Sequence, residues 1–426
     1  MKVDAEPAIS RKCPSLNRED GSPSLGDIKP QTPVRSLERA AFAEVTRTFD
    51  VEAVAPVVGM SPVFIRRVCG SRKKLAAADI LLLLDQDAFA ETYVPRSMIL
   101  GHLLSRADGP RKQSFASDEA EALRQGDARE LIADLAPQSV NCVVTSTPYW
   151  GLRVYKDAAI TSWADGEACA YGHEQTPEAF VRHTIEILVA LTRVLTPNGS
   201  IWWNIMDSFN TRTQIRGSAA EALRAMQGKD QRTWSEHAHR RYSAGHSYLK
   251  DGEQCVIPGM IAERASRIGL YVKSIITWAK TGTLPEPQES RVSRSLEYVI
   301  HLTKSRAPVF RKKCYRALPA NLGGRNNGWE TDKLSDVWHL PTSSGGEGHG
   351  AQFPMALPAR CIALSTIRDQ VVLDPFVGSG TSAVAAKTLG RRFVGFDVSP
   401  TYLEVASRKI AQVEDAGVDE ETPTER

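Results

Sequence analysis

Two short strings hold the residues whose types and spacing could do chemistry. The first is Thr145-Ser146-Thr147-Pro148-Tyr149-Trp150, directly after the apolar run Val140-Asn141-Cys142-Val143-Val144. It sets hydroxyls and an aromatic face at the end of a buried strand, where a planar substrate could be gripped. Pro148 stiffens such a loop, so that backbone carbonyls can point at an exocyclic amino group. A hydroxyl or carbonyl accepting from that amine makes its lone pair more available for attack. Enzymes that modify a nucleobase take it out of the stack, hold it against an aromatic ring and hydrogen-bond its edge. A tyrosine in an ordinary tight turn would look the same if this string stood alone.

The second string is Val371-Val372-Leu373-Asp374-Pro375-Phe376-Val377-Gly378-Ser379-Gly380-Thr381. It reads as a strand entering a glycine turn before a helix, the place where open α/β sheets bind ligands. Gly378 and Gly380 let the backbone turn tightly and approach a ligand closely. No lysine follows, so a phosphate-cradling P-loop is excluded. The next strand ends in Gly395-Phe396-Asp397, with Asp397 about twenty residues beyond the glycines, the spacing at which a carboxylate meets ribose hydroxyls. Phe376 and Phe396 could flank a purine, although core packing is the commoner fate of such residues. Gly126-Asp127, at another strand end, could add a polar contact.

The elements that must position these strings follow from periodicity and punctuation. A helix over Ala128 to Leu135 precedes the strand Val140 to Val144, and a longer helix, Pro177 to Leu195, ends at Pro197-Asn198-Gly199. Strands are expected at Ile201 to Ile205, Leu270 to Trp278, Tyr298 to Leu302, Val371 to Leu373 and Phe393 to Phe396. Helices are expected at Ile257 to Ile268, Ala359 to Ser365, Thr381 to Leu389 and Pro400 to Val413. Strands alternating with helices mean a mainly parallel sheet covered on both faces.

This α/β domain spans 119–413, before an acidic tail at 414–426. Residues 1–34 are rich in Pro, Ser and charge and read as a disordered tail. Residues 35–104 turn helical. Ala40, Ala41, Val45 and Phe49 suggest an amphipathic helix, continued by Val51 to Val58. Gly59 breaks it, and Ser61-Pro62 opens a second helix through Val68. That is the outline of a helix-turn-helix, weakened by Pro56; a small helical bundle packed on the main domain fits equally well. Residues 105–118 form a linker, 211–250 a polar, basic insert expected to be mobile, and 345–350 a glycine loop.

Lys and Arg number 53 against 50 Asp and Glu, so the net charge of +3 decides little. Its distribution says more. No acidic residue lies between Glu297 and Glu330, while Lys304, Arg306, Arg311, Lys312, Lys313, Arg316 and Arg325 all do. Such a run is a solvated face or a phosphate-contact surface. The 7 cysteines are scattered, without a CxxC pair, which argues against a disulfide framework and a zinc site. No secretory signal opens the chain, and the apolar stretch Ile80 to Leu84 is too short to span a membrane, so a cytoplasmic protein is expected.

Taken together, Asp374 to Thr381 resembles the S-adenosylmethionine motif of amino-group DNA methyltransferases. Thr145 to Arg153 resembles their Thr-Ser-Pro-Pro-Tyr-Trp-Gly-Leu-Arg catalytic motif. The catalytic motif precedes the cofactor motif, as in the permuted beta group. Gly126 to Arg129, Asn198 to Ile201 through Asp207, Trp278 to Lys280 with Leu284 to Pro287, and Phe353-Pro354 also fit. The resemblance covers residues 120 to 412. It implies a Rossmann-like S-adenosylmethionine-dependent methyltransferase fold with circularly permuted motif order, beside the N-terminal helical region.

It further implies that Ser146, Thr147, Pro148 and Tyr149 form the base pocket. Asp397 would hold the ribose and Asp127 the adenine edge. Phe376, Gly378 and Gly380 would take the methionine portion, Phe353 and Pro354 would close the pocket, and Asp374 and Thr381 complete the cofactor set. Target recognition would fall to 304–338. Ser at the first motif position is typical of cytosine-N4 methylation, so Ser146 points to N4 of a flipped cytosine in double-stranded DNA. Adenine-N6 methylation is the alternative. A cognate restriction endonuclease and a homodimer are the further partners it leaves open. One departure stands out: Thr147 occupies a position where the family usually has Pro, trading rigidity for an extra N–H. It leaves room for a third reading, a DNA-binding regulator with an impaired site.

Overall fold

β-Branched and aromatic residues bounded by Gly, Pro and Asp set the strands of this protein, a computed structural model described over residues 42–58, 60–84, 100, 103–104, 121–151, 160–164, 167–210, 213–215, 240–242, 249–250, 252–282, 290–323, 334–343 and 353–413. The N-terminal unit holds β1 (Thr48–Asp50), α1 (Val51–Val58), α2 (Pro62–Val68), β2 (Lys74–Ala76) and α3 (Ala77–Leu84). The main domain begins with β3 (Glu121–Gln125), α4 (Ala128–Asp134), β4 (Val140–Ser146), the short β5 (Thr161–Ser162) and β6 (Ala168–Cys169), and α5 (Pro177–Val194). It continues through β7 (Leu195–Ile205), β8 (Thr213–Ile215), β9 (Arg240–Tyr242), α6 (Ile257–Arg267), β10 (Tyr271–Lys280), β11 (Leu296–Thr303) and α7 (Lys312–Ala317). β12 (Val337–Leu340), α8 (Ala356–Ser365), β13 (Val371–Asp374), α9 (Thr381–Thr388), β14 (Arg392–Asp397) and α10 (Pro400–Ala411) complete it.

Eight strands make the main sheet in the order β12-β10-β11-β7-β4-β13-β14-β3. β7, β4, β13, β14 and β3 run parallel, and β11 is antiparallel to both of its neighbours. β13 is buried at every position, as a central parallel strand covered on both faces must be. One face carries a core with Ile132, Phe180, Leu188 and Ile261 from α4, α5 and α6. The other carries Tyr315, Leu357, Ala385 and Ala406 from α7, α8, α9 and α10. This is the Rossmann-like α/β fold expected. The first strand of the domain, β3, pairs with its last, β14, so the cofactor half is assembled from both ends of the domain.

Several expected boundaries shift, each for a physical reason. Phe49 is not helical: Thr48–Asp50 pairs antiparallel with Lys74–Ala76, and Phe49 and Leu75 meet in register with both side chains buried. α1 runs through Pro56 and ends at Val58. Ser61 caps α2 by accepting from Phe64 N at 3.1 Å. The unit has its own apolar cluster, which also takes in Ala164 of the main domain, and α1 packs against α5. That cover explains why α5, amphipathic by sequence, buries even Glu178, Arg182 and Glu186.

β7 starts at Leu195, not Ile201, with a register shift against β4 between the Leu195–Val140 and Ser200–Cys142 pairs, where Gly199 passes close to the β4 backbone. A Cβ there would lie 2.8 Å from Asn141 O. Inside the basic insert, β8 and β9 pair antiparallel. The tails, the linker and the glycine loop lie outside the described residues. Among the described residues no helix is long and apolar enough to cross a membrane.

Candidate active site

The glycine turn is built around one buried carboxyl. Asp374, 4% exposed at the end of β13, accepts from Thr145 Oγ1 at 2.6 Å, Phe376 N at 3.0 Å and Ser382 Oγ at 2.5 Å. It thereby ties the end of β4, the turn and the start of α9 together. Burial pushes its pKa up to about 6, against the lowering by the Ser382, Thr145 and Phe376 hydrogen bonds. Gly378 N donates to Asp397 Oδ2 at 2.9 Å, so the turn is latched to the acid at the end of β14. Asp397 Oδ1 accepts from Ser399 N at 2.9 Å.

Gly380 has another task than the one expected. It holds φ +88°, and a Cβ there would sit 2.8 Å from Ala406 Cβ, so its missing side chain admits α10. It does not line the cleft.

The cleft lies at the carboxyl ends of β3, β4, β13 and β14 and encloses about 1170 Å³ of empty space open to solvent. Asp127, Ser146, Thr147, Pro148, Tyr149, Phe353, Asp374, Phe376, Gly378, Thr381 and Asp397 all line it. Pro354 stands just outside, its carbonyl accepting from Leu357 N to start α8. Asp127 caps α4 by accepting from Arg129 N at 2.8 Å and also holds Thr161 Oγ1 at 2.6 Å. Phe376 faces Tyr171, with ring centroids 5.3 Å apart. Phe396 is fully buried and belongs to the core, not to a purine. Trp163, Tyr171 and Tyr402 add aromatic wall that sequence reasoning missed. Apolar walls with a carboxylate at each of two strand ends fit an amphiphilic, cationic nucleoside such as S-adenosylmethionine.

The Ser146 loop is anchored by Trp150, whose buried Nε1 donates to Glu174 O at 3.1 Å. Gly151 N donates to Gly172 O at 3.0 Å. Thr147 is 2% exposed, and its N–H donates to Asn204 O at 3.3 Å, extending the β4–β7 ladder beyond Ser146. The extra donor that replaces the family's Pro is therefore satisfied, and the backbone is held by pairing instead of by a ring. Its Oγ1 is buried in the cleft wall with no partner.

Tyr149 and Ser146 belong to a polar row that sequence reasoning did not assemble. Tyr149 Oη donates to Glu297 Oε2 and lies 3.2 Å from Ser146 Oγ. Asn204 Nδ2 reaches Tyr149 Oη at 2.8 Å and Glu297 Oε2 at 2.7 Å. Lys280 Nζ pairs with Glu297 Oε1 at 2.6 Å. The signal available was a lone acid opening the apolar strand Glu297-Tyr298-Val299-Ile300. Cys142 beneath the loop is fully buried and its thiol is pushed up to about 12 by that burial, so it offers no nucleophile.

The basic run does not gather at this mouth. Because β11 is antiparallel, Glu297 lies at the cleft end of the sheet while Thr303 pairs with Ser200 towards the opposite end. Lys304 there donates to Leu195 O at 2.9 Å and is part-buried, which lowers its pKa; Arg311 reaches Thr366 O at 3.5 Å. Both are used within the fold. Arg306, Lys312, Lys313 and Arg316 are exposed, the last three on α7, which packs beside α8. Arg325, Leu284 to Pro287, and Leu152 and Arg153 of the catalytic motif lie outside the described residues.

Known proteins resemble this chain. The N6/N4 methylase family, described as DNA methylase, matches residues 140–408. The type II methyltransferase M.Cfr9I of Citrobacter freundii is 31% identical over 296 residues, 70% of this chain and 89% of that protein. The type II methyltransferase M.XycI of Xanthomonas campestris pv. cyanopsidis is 32% identical over 292 residues, 68% and 87% of the two chains. The solved PvuII DNA methyltransferase (cytosine-N4-specific) overlays with a TM-score of 0.48 at 16% identity, covering 72% of this chain and 92% of that one. The match over more than half the chain, together with the glycine turn and the Ser146 loop in one cleft, leads to one conclusion: the chain belongs to the N6/N4 family of DNA methylases, whose methyl donor is S-adenosylmethionine.

Proposed function

We propose that this protein methylates the exocyclic N4 of a cytosine at a specific site in duplex DNA, as the modification enzyme of a type II system with a cognate restriction endonuclease. The observation that carries the reading is the shared cleft: Ser146, Thr147, Pro148 and Tyr149 face the same space as Gly378 and Asp397. S-adenosylmethionine, when bound, supplies an electrophilic methyl group. Asp397 would hold its ribose, Asp127 its adenine edge, Phe376 and Gly378 its methionine portion, and Phe353 would close over it. Asp374 and Thr381 support the turn beneath.

The chain's own part is positioning and electrostatics. A base flipped into the cleft stacks on Tyr149, and its amine donates to Ser146 Oγ and to a loop carbonyl, which turns the nitrogen lone pair outward. Ser146 at the first motif position favours cytosine. Adenine-N6 transfer needs the same scaffold and is the second reading. The paired Thr147 N–H supports an active site over an impaired one, since the backbone it leaves is held in register. DNA contacts are assigned to Lys312, Lys313 and Arg316. Incubation with labelled S-adenosylmethionine and DNA, followed by digestion to nucleosides, tests the reading. N4-methylcytosine is the expected product; N6-methyladenine would overturn the base assignment, and no modified nucleoside would overturn the activity.

A further inference from the structure

We propose that Glu297 is the final acceptor of the proton that the target amine loses, reached through Ser146 and Tyr149. The proposal rests on the methyltransferase reading but not on which base is methylated. Three adjacent strands supply the parts: Ser146 ends β4, Asn204 lies on β7 opposite it in register, and Glu297 opens β11. The direction of the chain follows from counting hydrogens. Tyr149 has one hydroxyl proton, and it is donated to Glu297 Oε2. The Asn204 amide directs its hydrogens at Tyr149 Oη and Glu297 Oε2, both closer than Ser146 Oγ at 3.3 Å. The 3.2 Å contact between Ser146 and Tyr149 is therefore made by Ser146 donating. Its remaining lone pairs are left for the cleft, which Ser146 lines. The result is a one-way row, from an amine N–H in the cleft to a carboxylate behind the wall.

A carboxylate only 6% exposed needs a compensating charge beside it. Lys280 on the next strand supplies it, at 2.6 Å from the oxygen that Tyr149 does not use. As the amine nitrogen bonds to the methyl carbon, the carbon–sulfur bond breaks and its electron pair stays on sulfur. The nitrogen, now cationic, gives one proton to Ser146 Oγ. The proton already on Ser146 passes to Tyr149 Oη, and the one on Tyr149 to Glu297 Oε2. Charge balances: the cation on the transferred methyl group ends as a neutral methylated amine, and the carboxylate ends as a neutral acid. Glu297 acts only through the two hydroxyls and touches no substrate.

The test is single-turnover methylation by the full-length protein, at saturating S-adenosylmethionine and DNA, from about pH 7 to about pH 9. Glu297→Gln should slow transfer about 10²-fold at the lower pH, the scale of a lost general base. Its rate should then climb with pH as solvent takes over, while the wild-type rate stays flat. Glu297→Asp should recover part of the loss, and equilibrium binding of S-adenosylmethionine should be unchanged. Tyr149→Phe keeps the ring and cuts the row at its middle, so it should show the same rising profile and carries the test if Glu297→Gln does not fold. A Gln variant as fast as wild type, an equal loss at every pH, or a loss that tracks cofactor binding would each overturn the proposal. The nucleoside produced by the wild type reports separately on the base assignment.

Discussion

Asp374→Asn should make the fold more stable at neutral and alkaline pH. The carboxyl is buried, and its pKa stands at about 6 against an ordinary 3.8, because desolvation outweighs the bonds from Ser382, Thr145 and Phe376. A folded value above the unfolded one means that the native state holds the proton more tightly. Ionisation therefore costs nothing below the unfolded value, costs progressively more between about pH 4 and pH 6, and costs the full amount above. A rise of about two units at about 1.4 kcal/mol each gives about 3 kcal/mol. Asn keeps an oxygen for Thr145 Oγ1 and Phe376 N, and its amide can donate to Ser382 Oγ after that hydroxyl turns. Allowing about 1 kcal/mol for the changed bonds, the variant should gain about 2 kcal/mol at pH 8. Urea unfolding of both proteins at pH 8 and near pH 4 reads the difference free of other titrations. A gain that persists unchanged near pH 4, or a loss at pH 8, would refute the reasoning.

Thr147→Val removes a buried hydroxyl without a partner and keeps the N–H bonded to Asn204 O, so it should gain about 1 kcal/mol, or about 2–4 °C in melting temperature. A lower melting temperature would mean that the hydroxyl is satisfied. Gly380→Ala should lose about 1–3 kcal/mol in urea unfolding, since φ +88° and the 2.8 Å approach to Ala406 Cβ both oppose a side chain. An unchanged midpoint would show that α10 can yield. Reversing charge at Lys312, Lys313 and Arg316 together should flatten the salt dependence of DNA binding, by about 0.9 in the log–log slope for each phosphate that the variant no longer neutralises. An unchanged slope takes α7 out of the interface.

Most of the alternation of elements from Ala128 to Ala411 was legible because most buried strands are short β-branched runs stopped by Gly, Pro or Asp; α7 and β12 were not expected. The glycine turn and the Ser146 loop were legible because both are local: neighbours in the chain are neighbours in the site. Gly380 misled, since a glycine required for helix packing looks the same in sequence as one required for a ligand. The row from Lys280 through Glu297 and Asn204 was invisible for the opposite reason. Its members come from separate strands whose register the chain does not announce, and each alone is an ordinary polar residue near a strand end. Lys304 and Arg311 belonged to a run whose charge was plain, but strand direction decides which end of the sheet such a run occupies. Phe49 was drawn into a helix by spacing alone, where pairing with Leu75 prevailed.

The pairing of β3 with β14 has a consequence for how this protein comes into being. Gln125 Nε2 donates to Val398 O across 273 positions of sequence, and Gly126 N to Asp397 O. During synthesis the Ser146 loop and the strands behind it emerge early, while the edge that completes the cleft waits for residue 398. Closing so long a loop is entropically costly and slow, so the edge should join late. A nascent chain would thus hold one side of the cleft without the other until almost the whole domain has left the ribosome.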